Sequence, residues 1–196
     1  MAARASAGPY LDKATVVRVA ADIADRDGWN NLTLSQVSKE VNRHVTSLYA
    51  HVDGLEALRR EVALLALDEL ADEVWKAALG RTREDALTAI AEVERAYARA
   101  HPGRNAAIVT YRAPEDEELR ARGRRVAEPI WATFRSFGLD ERQIEQAHSV
   151  FHSALRGLTL AEITHTFAFP DPDETFRQLI ALFVLALSTG GWPGQD

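Results

Sequence analysis

The 196-residue chain has no cysteine, and its 23 lysines and arginines are outnumbered by 29 aspartates and glutamates. The first absence excludes disulfides, thiolate metal sites and a cysteine nucleophile, and it fits a reducing compartment. No apolar run approaches the twenty or so residues that a membrane-spanning helix needs. The opening stretch, MAARASAGPYLDK, lacks the apolar core of a signal peptide, so it is read as a flexible arm and a cytoplasmic location is expected. A glycine-rich phosphate loop and a Ser/His/Asp order are missing too, which leaves little support for phosphoryl or acyl transfer. No segment alternates with the two-residue period of a strand, so an all-α chain is expected, with ample length for a core.

The formal charge of −6 argues at first against a nucleic-acid partner. Its distribution weakens that objection. Residues 1–60 carry 8 Lys and Arg against 7 Asp and Glu, a local charge of +1, whereas the remaining 136 residues carry 15 against 22. Phosphate affinity depends on local charge, and Arg4, Lys13, Lys39 and Arg43 could supply a basic face.

What the chain does have is a segment whose polar side is too particular for burial. In LTLSQVSKEVNRHVTSLYAHVDGLEAL, residues 32–58, Thr33 is placed to cap a short helix whose Leu34, Val37 and Val41 make one apolar stripe. Asn42, Arg43 and His44 interrupt that stripe. A second short helix, from Val45 to His51, offers Val45, Leu48 and Val52 to a core and leaves Thr46, Ser47, Tyr49 and His51 facing outward. Hydroxyls, a phenol and an imidazole on one helix can bond phosphate oxygens and base edges in a major groove. Two short helices so arranged are a helix-turn-helix, the first bracing and the second reading.

The string Ser47-Leu48-Tyr49-Ala50-His51-Val52, preceded by Thr33-Leu34 and followed by Leu55-Glu56-Ala57-Leu58, resembles the DNA-binding domain of the tetracycline-repressor-like (TetR) family of transcription regulators. Three positions depart from that family's pattern: Asn42 stands for the turn glycine, Arg43 for a small apolar residue, and Leu55 for a lysine. Asn tolerates the left-handed backbone such a turn needs. Softer matches at His101-Pro102-Gly103-Arg104, residues 152–157 and Asp173-Glu174-Thr175-Phe176 resemble a branch of the family with a C-terminal domain of the WHG type. The resemblance implies a DNA-binding domain over residues 1–54, a ligand-binding and dimerising body over 55–196, and about nine helices in all.

Periodicity and punctuation give the helices independently. They are expected over Leu11 to Asp27, 33–41, 45–51, Leu55 to Leu79, Thr82 to Arg99, Asn105 to Tyr111, Glu115 to Phe137 with a kink at Pro129, Asp140 to Thr166, and Asp173 to Ser188. Gly190 to Gly194 should fray. The last helix is apolar nearly all round and needs cover on several sides. That points to a two-fold homodimer using Phe151, Leu155, Leu158, Leu179, Leu182 and Phe183. Two readers on one face would then meet half-sites of a palindromic operator in double-stranded DNA roughly 34–36 Å apart or a multiple of it.

Arg43, His44, Thr46 and Ser47 are the candidates for contacts at or near bases, and Thr33, Tyr49 and His51 for phosphate contacts. Any of them could be structural instead, His51 as a cap of its own helix. In the body, Tyr97, His101, Tyr111, Trp131, Phe134, His148, Phe151 and His152 would suit a cavity for a small hydrophobic effector, with plain core packing as the alternative. A repressor released by that effector is the expected function, through a shift between DNA-competent and incompetent arrangements. No cofactor, membrane partner or enzymatic activity is expected. The rival class is a metalloenzyme built on Glu145-x-x-His148 and Glu162-x-x-His165, the spacing of di-iron bundles. Lying 17 residues apart on one expected helix, the two copies would be about 26 Å apart and could not share a metal pair. His148 and His152, one turn apart, could also grip a zinc. A third class is a helical adaptor that binds other proteins.

Overall fold

The computed structural model describes residues 11–166 and 168–189. The described residues form nine α-helices and one short 3-10 turn, with no strand. In chain order the helices are α1 (Lys13–Asp27), α2 (Leu34–Glu40), α3 (Val45–Leu48), α4 (Gly54–Ala78) and α5 (Arg83–Ala100). α6 (Pro102–Thr110), α7 (Glu117–Ser136), α8 (Glu141–Ile163) and α9 (Pro172–Ser188) complete the set. The fraying expected at Gly190 to Gly194 and the basic residue Arg4 lie outside the described residues.

The chain divides into two compact units, one spanning Met1–Ala66 and Gly103–Arg112, the other Leu67–Pro102 and Ala113–Asp196. The first is larger than the stretch 1–54, because it takes in the start of α4 and, from farther along the chain, α6.

In the first unit α1 begins where the Asp12 carboxylate accepts from the Thr15 N–H at 2.7 Å, and ends at Gly28, whose φ of 95° favours glycine. Val16, Ala20, Ile23 and Ala24 are fully buried, with Trp29, Leu32 and Leu48 closing the small core. α6 is attached to α1 in two ways. A methyl group on Gly103 would overlap the backbone carbonyl of Ala24, so only glycine permits that approach. Next to it, the Arg104 backbone N–H donates to Asp25 at 2.8 Å, and its guanidinium reaches Asp25 at 2.5 Å and Asp22 at 2.6 Å.

In the second unit α5 lies against α7, α8 and α9, and α8 against α7 and α9. The core centres on Phe134, Phe151 and Phe183, whose rings meet edge to face with centroids 6.0 and 5.3 Å apart. A buried arginine ties three of these helices together: Arg95 on α5 pairs with both oxygens of Glu162 on α8 at 2.9 and 3.0 Å, and with Asp173 on α9 at 2.8 Å. Its guanidinium also covers the Phe176 ring at 4.6 Å.

α7 runs through Pro129 as one continuous helix. Proline has no N–H to give the carbonyl four residues back, which is that of Arg125. The Trp75 indole N–H donates to that carbonyl at 2.9 Å and satisfies it.

Several ends differ from expectation: α6 starts at Pro102 rather than Asn105, α1 at Lys13 rather than Leu11, α7 at Glu117 rather than Glu115, and two helices stop early. α8 stops at Ile163 rather than Thr166, because His165 takes a left-handed backbone with φ of 52°. α3 stops at Leu48 rather than His51, and residues 49–51 form a turn in which the N–H groups of His51 and Val52 both bond the Leu48 carbonyl, at 2.8 and 3.0 Å. Val52 is 6% exposed, so its burial folds the chain back before another helical turn can form.

Candidate functional site

The reader is braced by α2, whose start is a capping box: the Thr33 hydroxyl accepts from Gln36 N–H at 3.3 Å, and Gln36 Oε1 accepts from the Thr33 N–H at 2.9 Å. The Thr33 hydroxyl also donates to Gln36 Oε1, so this exposed group is already employed within its own helix. After α2 the chain turns through Asn42 with φ of 51°, the left-handed value glycine would otherwise supply. Asn42 N–H bonds the Lys39 carbonyl at 3.1 Å and Arg43 N–H the Ser38 carbonyl at 2.9 Å, the two bonds of a Schellman motif. The glycine replacement is therefore conformationally silent.

That turn sets α3 with Leu48 fully buried and the rest of its face outward. Arg43, His44, Thr46 and Ser47 are exposed, as is Tyr49 at 56%, while His51 is half-buried. Ser38, Lys39, Asn42, Arg43, His44 and Ser47 line a shallow groove of about 430 Å³ on this face. Among the described residues neither Lys39 nor Arg43 pairs with a carboxylate, so both charges are available to an anion. Lys13, expected to share the basic face, is instead paired with Glu61 at 2.8 Å. Four polar groups on a 4-residue helix and its turn, beside two unpaired cations, are suited to a phosphate backbone and the base edges beside it.

The body residues fall into three places. Trp131, His148 and His152 form one chain of rings, with centroids 5.8 Å apart for the first pair and 4.3 Å for the second, and Phe151 adjoins His152 at 5.7 Å with Phe134 behind it. Tyr97 and His101 make a separate pair at 5.0 Å, and the Tyr97 hydroxyl donates to Glu69 at 3.0 Å. Tyr111 belongs to the other compact unit.

Of the residues expected at a subunit contact, Phe151, Leu155 and Phe183 are buried within the single chain, at 0%, 2% and 8% exposure. Leu158 and Leu179 are half-buried, and Leu182 is exposed. Val150, Leu160 and Leu185 are exposed large apolar side chains of the same two helices, α8 and α9, and join it as candidates.

One body residue escaped the sequence reading. Glu94 on α5 is buried and accepts from the His152 ring Nε2 at 3.1 Å. Burial pushes its carboxyl up, but the charge and hydrogen bond of His152, with Arg156 and His148 beyond, outweigh this and hold it below the ordinary carboxylate range. The signal lay in the spacing Leu87, Ile90, Ala91, Glu94, Ala98, which puts Glu94 on the buried stripe of α5. Burial, then the neighbouring His152, push His148 down to about 4, so it is neutral at pH 7. The two Glu-x-x-His copies diverge: Glu145 faces solvent, Glu162 is taken by Arg95, and His165 lies beyond the end of α8. Among the described residues no three His, Asp or Glu side chains converge as a metal-holding group.

Comparison with known proteins agrees with this geometry. Residues 87–183 match the family described as "Tetracyclin repressor-like, C-terminal domain". A helix-turn-helix-type transcriptional regulator of Mycobacterium tuberculosis is 36% identical over 173 residues, covering 87% of this chain and 78% of that protein. Among solved structures, the TetR family protein ActR of Streptomyces coelicolor, in complex with (S)-DNPA, superposes with a TM-score of 0.67 at 18% identity, over 92% of this chain and 98% of the other. BioQ bound to its natural double-stranded DNA operator gives 0.68 at 19% identity, over 92% and 99%. At such identities the structures bear on the fold, whereas the mycobacterial relative extends through reader and body alike. This chain belongs to the tetracycline repressor-like (TetR) family of helix-turn-helix regulators and is a DNA-binding transcriptional regulator.

Proposed function

We propose that the protein is a homodimeric repressor that holds a palindromic operator through residues 1–54 and releases it when a small, largely hydrophobic effector enters the body formed by residues 55–196. It would act in the cytoplasm. No described helix is long and apolar enough to cross a membrane. The observation that carries the reading is the outward face of α3 and its turn, where Arg43, His44, Thr46, Ser47 and Tyr49 are exposed together beside the free charge of Lys39. Exposed Leu182 and Leu185 on α9 with Val150 and Leu160 on α8 support a second copy as partner, since exposed leucines and a valine on two adjoining helices favour an apolar cover. The effector would act by binding the DNA-incompetent arrangement more tightly than the competent one.

Selection of bound fragments from random duplexes tests the reading, carried out on the wild type, Tyr49→Ala, Ser47→Ala and Thr46→Ala. A two-fold symmetric consensus is expected. Tyr49→Ala should weaken binding to all sequences alike, and Ser47→Ala or Thr46→Ala should change which sequence is preferred. No enrichment from the wild type even in dilute salt, or a monomer in sedimentation at the concentrations that bind DNA, would sink it.

A further inference from the structure

One cavity of the second unit shares no lining residue with the rings on α7 and α8. It is a groove of about 720 Å³, a size typical of small-molecule sites, lined by the last turn of α5, the end of α8, the start of α9 and residues between those two helices. The Arg95 clasp frames it. Arg95 holds Glu162 of α8 and Asp173 of α9 to α5, and Arg99, four residues on, shares its face of that helix one turn later. Beyond the end of α8 the chain turns through the left-handed backbone of His165, which also lines the groove.

The hydrogen-bonding capacity of this groove is spent on one side only. Three of the four carboxylate oxygens of Glu162 and Asp173 accept from Arg95. Arg99, in contrast, makes no hydrogen bond among the described residues. Its side chain is 57% exposed, and the carboxylate paired with it, that of Asp173, stands at 3.9 Å, outside hydrogen-bonding reach. The His165 ring is exposed as well and has no partner among the described residues. Beside these two donors the wall is apolar, made by Ile163, Phe169 and Pro172. We propose that the groove binds a small carboxylate carried on an apolar body, with Arg99 as its bidentate anchor and His165 as a second donor.

The charges agree with this choice. Arg95 and Arg99 balance Glu162 and Asp173, so an anion enters without net repulsion and gains N–H groups that no described residue uses. An alkylammonium would meet Arg99 with a like charge and find Glu162 already taken. A neutral alcohol offers one oxygen to a fork that fits the two oxygens of a planar carboxylate. The site is independent of which molecule acts as effector and of whether its filling releases DNA.

Calorimetric titration of the full chain with octanoate, octan-1-ol, octylammonium and acetate tests it. Octanoate should bind about fivefold or more tightly than the alcohol and the ammonium, the margin of a well-formed but partly exposed ion pair, and acetate far more weakly still. Arg99→Gln should erase that margin. In spectra of protein carrying 13C-methyl isoleucine, the Ile163 signal, assigned by its loss in Ile163→Val, should move as octanoate saturates. If Arg99→Gln does not fold, the Ile163 signal of the wild type decides the location. Equal binding of octanoate and octan-1-ol overturns the carboxylate, tightest binding by octylammonium replaces it with a cation, and acetate as tight as octanoate removes the apolar body. A margin that survives Arg99→Gln, or an Ile163 methyl that stays in place, puts the carboxylate elsewhere and overturns the site. No binding of octanoate up to about 1 mM overturns it too. Operator release by octanoate is measured separately and bears on the effector reading alone.

Discussion

Two arginines show how differently an outward face and a buried scaffold treat charge. Arg43, on the reader's turn, faces solvent, and its guanidinium donates to the carbonyl of Asn42, next to it in the chain. Arg95, in the body, is 8% exposed and committed to Glu162, Asp173 and the face of Phe176. A buried guanidinium with every direction filled fixes helices, and an exposed one without a carboxylate waits for a partner from outside. Placement of charge, more than its amount, separates the face proposed to meet DNA from the scaffold that carries it. The same contrast explains how a chain of net charge −6 can hold an anionic duplex.

The strongest test of the contrast is Arg95→Ala. It leaves Glu162, whose side chain is 8% exposed, as a buried charge without its partner, which costs about 3–5 kcal/mol. Urea unfolding of the variant should show that loss, and a change below about 1 kcal/mol would mean the cluster is not a structural clasp. Gly103→Ala should follow closely. Its added methyl meets the Ala24 carbonyl, a backbone group that cannot swing aside, so a loss of about 1–3 kcal/mol is expected. The head is thus not uniformly tolerant, and tolerance is confined to its reading face.

The body should also be the acid-sensitive unit. In an unfolded chain a histidine takes up its proton near the usual value of about 6.5, while His148 in the folded protein resists until about 4. The unfolded state therefore binds more protons throughout that window, and stability falls as pH drops through it. Glu94 adds to the loss at lower pH, because its folded carboxyl lies below the ordinary range and the stability it contributes disappears when it protonates. Since His148 is half-exposed, the histidine's share is discounted to about 1–2 kcal/mol. Melting temperatures of wild type and His148→Phe at pH 7.5 and 5 should converge on the acid side, and parallel curves would remove His148 as the cause.

The features that were legible in the sequence were those enforced locally. Thr33 as a cap, Asp140 at a helix start and Asn42 at a left-handed turn each act within a few residues, and the helices follow their caps and apolar stripes. The end of α3 was not legible, because Tyr49, Ala50 and His51 can all continue a helix and the burial of Val52 decides otherwise. Nor was the pairing of Glu94 with His152, which lies 58 residues away. Phe151, Leu155 and Phe183 illustrate a different limit. Their pattern says that they must be covered, and says nothing about whether the cover comes from the same chain.

The smallest effect on stability is expected at the site with the largest effect on function. Arg43→Ala removes an exposed side chain with no carboxylate partner, so unfolding free energy should stay within about 0.5 kcal/mol of wild type. If Arg43 meets a phosphate, its loss should weaken binding to operator and random duplex by similar factors and lower the slope of log affinity against log salt by about one. If it reads a base, the loss should fall on the operator alone and the slope should barely move. Either result keeps Arg43 on the DNA. An unchanged affinity and slope would place the cation outside the interface, and Lys39 would then be the remaining unpaired charge of the groove on which the reading face could depend.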